Sequence, residues 1–261
     1  MQKRLIVSAL TAALTTFAAV AAAQSGAAVP TISSDAAEHH CSKEEIEKCK
    51  RAAAEAAAMK STKPSEIPAG QVSFFTVGLV CKSAPKIGCG SKAKPVLLAL
   101  NANSHVAGTW LNEAGTRLAI GWKQNTKPLT VDQLDAVIDP YGIALQTTSE
   151  NTREDLLASF TTSTRWYDAA SVDRLSEQEA AVIAERLVRR VSARTALDLK
   201  HAARLREAFE QTFHDRFINS GSSSDRADEL VKVAKSVVDG PTLIAVREAV
   251  ALGTRPLPNE E

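Results

Sequence analysis

Apolar positions change their spacing several times along the chain, and each change marks an element. From Leu5 to about Val20 every residue is apolar or small and uncharged, preceded by Lys3 and Arg4. Val72 to Val80 is dense in β-branched and aromatic residues, the composition of a buried strand. Val96, Leu97 and Leu100 then fall on one face of a helix spanning 93–101. Pro95 fits only a first turn, so this helix is expected to start near Lys94, with Cys89 left in the preceding loop. Two strands follow, His105 to Leu111 and Thr116 to Lys123, joined by the turn formers Asn112 to Gly115. In the second, Leu118, Ile120 and Trp122 alternate with Arg117, Ala119, Gly121 and Lys123, which predicts one buried face.

Thr130 with Gln133 three residues on opens a second helix, which presents Leu134, Val137 and Ile138 and stops at Pro140. Ile143 to Gln146 reads as a last short strand. The order strand, helix, strand, strand, helix, strand is the ferredoxin-like split arrangement. Beyond Ser149 the periodicity is helical. Leu175, Ser176 and Glu179 read as a staple and capping box, opening a pattern to Phe217 that carries Ile183, Leu187 and Val191, then Leu205, Phe209 and Phe213. Its length predicts a break near Thr195 to Asp198. Asp225 can cap a further helix to Val238, and a final one ends at Gly253. The expected fold class is α+β: a ferredoxin-like βαββαβ domain over 71–148 followed by an all-α helical bundle region over 149–255, with 256–261 a disordered tail.

The N-terminal run is about 16 residues, short against the about 20 of a spanning helix, and Ala21 to Ala23 supply small residues before Gln24. Residues 1–23 therefore read as a signal peptide cleaved near Ala23, and the expected location is the periplasm or the exterior. The mature chain is expected not to span a membrane. Residues 24–70 read as a flexible tether carrying one Ala-rich helix, Lys43 to Met59. Removing Lys3 and Arg4 from the 31 basic residues leaves 29 against 30 acidic ones. That balance gives no electrostatic attraction for nucleic acid. No Ser, His and Asp nucleophilic pattern, phosphate-binding glycine loop or acid–base carboxylate pair stands out, so no enzymatic activity is expected.

Chemistry concentrates in four cysteines. Cys81 closes the first strand and Cys89 precedes the first helix, with seven residues, Lys82 to Gly88, between them. Gly78, Leu79, Val80 and Cys81, then Cys89, Ala93, Val96, Leu97 and Leu100, resemble the heavy-metal-associated domain family of soft-metal chaperones and periplasmic mercury-binding proteins. The Val106 to Leu111 strand, the Thr130 to Asp139 helix and Tyr141 with Gly142 fit the same layout, so the resemblance covers residues 71–148. Leu79 stands where that family has methionine, and the family's two-residue gap between cysteines is seven residues here. The resemblance implies a soft-metal site at Cys81 and Cys89, with monovalent copper or mercury as the ion and zinc or cadmium as further candidates. Thiolates suit such ions, and Lys82, Lys86, Lys92 and the free amides of the helix start are expected to lower the thiol pKa values.

An oxidising compartment equally allows a Cys81–Cys89 disulfide, which would leave a non-catalytic envelope interaction protein with a clamped loop. His39, His40, Cys41 and Cys49 form a second candidate group, in which His39, His40 and Cys41 read either as a solvated tail with an incidental histidine pair or as a tract that captures an ion for the folded site. On a continuous helix Cys41 and Cys49 would lie about 12 Å apart, too far to share an ion. His105, His201 and His214 read as surface residues, Trp110 and Trp122 as core or cross-strand packing, and Arg165 to Asp168 as a docking contact between domains. The expected function is periplasmic sequestration or transfer of a thiophilic ion through Cys81 and Cys89. An envelope metal transporter or another envelope protein is the expected partner.

Overall fold

A computed structural model describes residues 63–219 and 226–260. The segment read as a signal peptide, most of the segment read as a tether and the group His39, His40, Cys41 and Cys49 lie outside the described residues.

Six elements follow one another as β1 (Val72–Thr76), α1 (Gly90–Asn101), β2 (Val106–Asn112), β3 (Arg117–Trp122), α2 (Val131–Ile138) and β4 (Gln146–Thr147). A further helix, α3 (Glu150–Thr162), leads to β5 (Trp166–Tyr167), and the five strands form one antiparallel sheet in the order β4-β1-β3-β2-β5. The fifth strand corrects the reading of Arg165 to Asp168 as a contact between domains. Leu111 pairs with Tyr167 and Asn112 with Trp166, so this segment hydrogen-bonds the otherwise open edge of β2. The β2–β3 hairpin and the Thr130 cap form as the turn and capping residues predict, with Thr130 Oγ1 accepting from Gln133 N–H.

Both faces of the sheet are covered, where the alternation in β3 predicts only one. Leu118, Ile120 and Trp122 pack with Val96, Leu97 and Leu100 of α1 and Leu134 and Ile138 of α2. On the other face Phe160 of α3 seals Phe74, Trp110 and Ala119. Its ring meets those of Trp110 at 5.1 Å, Trp166 at 5.4 Å and Phe74 at 5.9 Å, edge-on in each case, a geometry aromatic quadrupoles favour. Small Ala119 and Gly121 leave room for these rings, which is why that face looks empty in sequence. Trp110 and Trp122 sit in separate cores on opposite faces.

The remaining helices are α4 (Asp173–Ser192), α5 (Leu199–Asn219), α6 (Arg226–Ala234) and α7 (Gly240–Ala251). The interruption between α4 and α5 falls where the pattern length requires it. Ile183, Leu187 and Val191 meet Leu205, Phe209 and Phe213 in one core, while Val172 and Leu175 belong to the sheet's core. α4 therefore joins the two. It begins at Asp173, so Ser176 and Glu179 are buried in its interior and form no capping box. Among the described residues no helix is long and apolar enough to cross a membrane.

Two buried arginines of α4 bind the chain's last residues. Arg186 Nη1 donates to the carbonyls of Ser83 at 2.6 Å and Thr254 at 2.7 Å. Arg190 donates to the carbonyls of Gly253 and Arg255 and to both carboxylate oxygens of Glu260, at 2.8 and 2.6 Å. The segment read as a tail thus carries an anchoring carboxylate. Arg190 holds the Glu260 carboxyl down at about 2, from an ordinary 4.5, so its contribution is complete above about pH 4.5 and lost as pH falls towards 2. Glu260→Gln is expected to lower stability at pH 7 by roughly 1–3 kcal/mol and to flatten the loss of stability across that acid range. Urea midpoints measured from pH 2 to 7 check this, and an unchanged midpoint at pH 7 would count against the anchor.

Candidate functional site

The two cysteines are placed by a second, smaller pairing beyond β1. Leu79 N–H donates to Gly115 O at 2.9 Å and Gly88 N–H to Glu113 O at 2.7 Å, so the β2–β3 turn grips both arms of the 79–89 segment. Gly115 has φ of +72°, and a Cβ there would stand 2.5 Å from Leu79 O; only glycine lets the strands approach this closely. Within the segment Val80 pairs with Gly88, flanked by Cys81 N–H to Ile87 O at 2.9 Å and Cys89 N–H to Leu79 O at 2.7 Å. Side chains alternate faces along each arm, so Cys81 and Cys89 share a face as diagonal partners. Both are buried free thiols and cluster with Ala84, against which Ile87 packs.

Cys89 is the N-cap of α1, which starts at Gly90, a turn earlier than Pro95 suggests. The proline forgoes a single hydrogen bond, to the carbonyl of Ser91 at the helix start. The early start rests on Gly90, whose absent Cβ would lie 2.5 Å from Ser176 Oγ and 2.7 Å from Val172 O. Close contact between α1 and α4 therefore brings the cysteine turn against α4.

On α4, Glu179 is buried at 4 % exposure, and its carboxylate bears on the Cys81 thiol. Burial, the hydrogen-bonding pull of Glu179 and its carboxylate charge push Cys81 up to about 12, overcoming the lowering effect of the Ser83 and Ala84 amides. This corrects the expectation of lowered thiol pKa values for Cys81: burial and a carboxylate, rather than the lysines, set the direction of its shift. Lys82, Lys86 and Lys92 are exposed. Cys89 Sγ lies 3.5 Å from Ser91 Oγ.

Both thiols line a cavity of about 680 Å³, together with Lys82, Lys92, Glu179 and Arg216. Lys94 also borders it and pairs with Asp173 at 2.6 Å, and Arg216 pairs with Glu229 at 2.7 Å. Among the described residues no group of three or more His, Cys, Asp or Glu side chains is arranged to hold a metal ion. What the geometry offers is two sulfurs. The histidines lie elsewhere: His105 Nδ1 meets Lys127 O at 3.0 Å, His201 pairs with Asp198, and His214 stands between Glu177 and Asp215.

Sequence reading misses Glu179 and Arg216, finding no chemistry in the helices. For Glu179 a signal exists. Glu179, Arg186 and Arg190 recur at helical spacing in register with Ile183 and Leu187, so charge sits on the face that must be buried. Arg216 belongs to the exposed-looking side of its helix, and its place at the cavity follows only from how α5 packs. In comparisons with known proteins, the chain matches no family model, no curated protein and no solved structure.

The raised Cys81 pKa fixes two signs. The native thiol keeps its proton well above the ordinary 9 of the unfolded chain, so stability from this group is full below pH 9 and is lost as pH rises towards 12. Cys81→Ala is expected to remove that alkaline loss. At pH 8.5 iodoacetamide should modify Cys81 at least about tenfold more slowly in the native protein than in the denatured one, because the thiolate is the nucleophile. Glu179→Gln should accelerate it. Peptide mass spectrometry of timed reactions reads both, and equal native and denatured rates would contradict the assignment.

Proposed function

We propose that the chain binds a thiophilic ion through Cys81 and Cys89 and stores it or passes it on, as an exported protein of the periplasm. The observation that carries this reading is the diagonal placement of two buried thiols on one face of a turn held by backbone hydrogen bonds. Diagonal partners of an antiparallel pair have Cβ atoms up to about 7–8 Å apart, while a disulfide requires about 3.5–4.5 Å. An ion between the sulfurs lengthens the bridge: with thiolate bonds of about 2.3 Å the sulfurs can stand about 4.6 Å apart. The register thus leaves room for an ion between the sulfurs.

Two thiolates match the low coordination of monovalent copper or mercury. Zinc and cadmium fit less well, since a structural zinc site takes four ligands and no third His, Cys, Asp or Glu ligand is arranged here among the described residues. The strand order β4-β1-β3-β2 and the alternation of elements are those of a ferredoxin-like split βαβ, which supports the resemblance of residues 71–148 to the heavy-metal-associated domain. In this reading the ion is cargo, and an envelope metal transporter or another envelope protein is the natural donor or recipient.

On binding, each thiol exchanges its proton for the ion. The buried Cys81 thiol makes the site selective, because only an ion with strong affinity for sulfur displaces its proton. Reduced mature protein is expected to take up one monovalent copper or one mercury ion per chain in the presence of a competing chelator. Cys81→Ser or Cys89→Ser should each weaken binding at least about 100-fold, and the double substitution should abolish that equivalent. Unchanged stoichiometry in the double variant would refute the site. Intact-mass measurement on protein taken directly from the periplasm tests the competing disulfide: a fully oxidised Cys81–Cys89 pair without metal would support it.

A further inference from the structure

We propose, resting on the ion-binding reading above, that the cavity beside Cys81 and Cys89 accepts the ion as an anionic complex with a small carboxylate-bearing thiol. At about 680 Å³ the cavity is far larger than any bare ion and falls within the roughly 300–1,000 Å³ of small-molecule sites. Its charges are arranged for an anion. The carboxylate of Asp173 is matched by Lys94, and that of Glu179 is directed to the Cys81 thiol. Lys82 and Lys92 have no ion-pair partner among the described residues, and both are exposed at the wall. Arg216, although paired with Glu229 through Nε, keeps Nη1 buried and without a hydrogen-bond partner among the described residues. The α1 N-terminus, at Cys89 and Gly90, adds its positive end beside the sulfurs.

The exchange balances without a further reactant. A monovalent ion held by two carrier thiolates meets the two protein thiols. Each protein sulfur bonds to the ion as its proton passes to a departing carrier sulfur, so two carrier thiols leave and the charge of the ion–bis-thiolate unit is conserved. No electron is transferred. Lys82, Lys92 and Arg216 act on the carrier's carboxylates, bringing the complex to the sulfurs and holding it during the exchange.

The test follows copper transfer to reduced mature full-length protein at low ionic strength from three sources: the monovalent copper complexes of glutathione, which is anionic, of cysteamine, which is cationic, and of acetonitrile, which has no thiol. Uptake from the glutathione complex is expected to be about tenfold or more faster than from the cysteamine complex, the size of electrostatic steering into a charged cleft. Lys82→Gln/Lys92→Gln should reduce that preference severalfold, as should about 0.5 M salt, while the final stoichiometry from acetonitrile stays at one ion per chain. Equal rates from the glutathione and cysteamine complexes, with full loading from acetonitrile, would overturn this inference and leave ion binding standing. Failure to load from any source would remove the ion-binding reading itself.

Discussion

Two backbone hydrogen bonds, Cys81 N–H to Ile87 O and Cys89 N–H to Leu79 O, decide where the two sulfurs of the candidate site stand. They set the register of a pairing that leaves both sulfurs on one side and offsets them along the strands. A one-residue slip would turn one thiol to the opposite face. The register is protected from outside, since the β2–β3 turn supplies partners to Leu79 and Gly88 and the bare backbone of Gly115 lets it come near enough to do so. The sheet therefore builds the cysteine turn, and that turn places the sulfurs.

The helical region completes the site. α4 spans both cores, with its N-cap Val172 and Leu175 in the sheet's core and Ile183 to Val191 in the helical core, and three of its charged residues, Glu179, Arg186 and Arg190, are buried. Glu179 faces Cys81, Arg186 holds the carbonyl of Ser83 inside the cysteine turn, and Arg190 gathers the segment after α7. Burying guanidinium groups is costly unless their donors are used: Arg190 donates through Nε, Nη1 and Nη2 to Gly253, Arg255 and Glu260, whereas Arg186 donates through Nη1 to Ser83 and Thr254 and keeps Nε buried without a hydrogen-bond partner among the described residues. Burial and the neighbouring Arg190 pull the Arg186 pKa below its ordinary value, with Glu260 acting in opposition. The sulfurs thus sit where strand-derived and helix-derived packing meet.

Much of the framework is legible in sequence because it depends on local pattern. The alternation of Leu118, Ile120 and Trp122, the turn at Gly115, the Thr130 cap and the interruption before Leu199 all rest on short-range physics. The cysteine pair is legible for the same reason, as two thiols bracketing the first loop. The rest depends on long-range contact. Nothing near Trp166 says that it will pair with Asn112, and nothing near Ala119 says that Phe160 will cover it. Pro95 taken alone misplaces the start of α1, because the contact of Gly90 with α4 is invisible locally. The sign of the Cys81 shift is hidden in a similar way: lysines close in sequence are exposed, and a glutamate far along the chain is buried and acts on the thiol.

The seven residues between the cysteines do more than separate the sulfurs. Ser83 lends its carbonyl to Arg186 and its hydroxyl to Thr254 at 2.8 Å, and Ala84 is buried beneath it. Trimming the loop to two residues would strip a guanidinium of its acceptor and unroof Ala84's neighbours, whatever it did for the thiols. Loop length here answers to architecture: the same stretch of chain carries the two thiols and is a keystone joining the sheet to the segment after the final helix, and neither can be redrawn without the other.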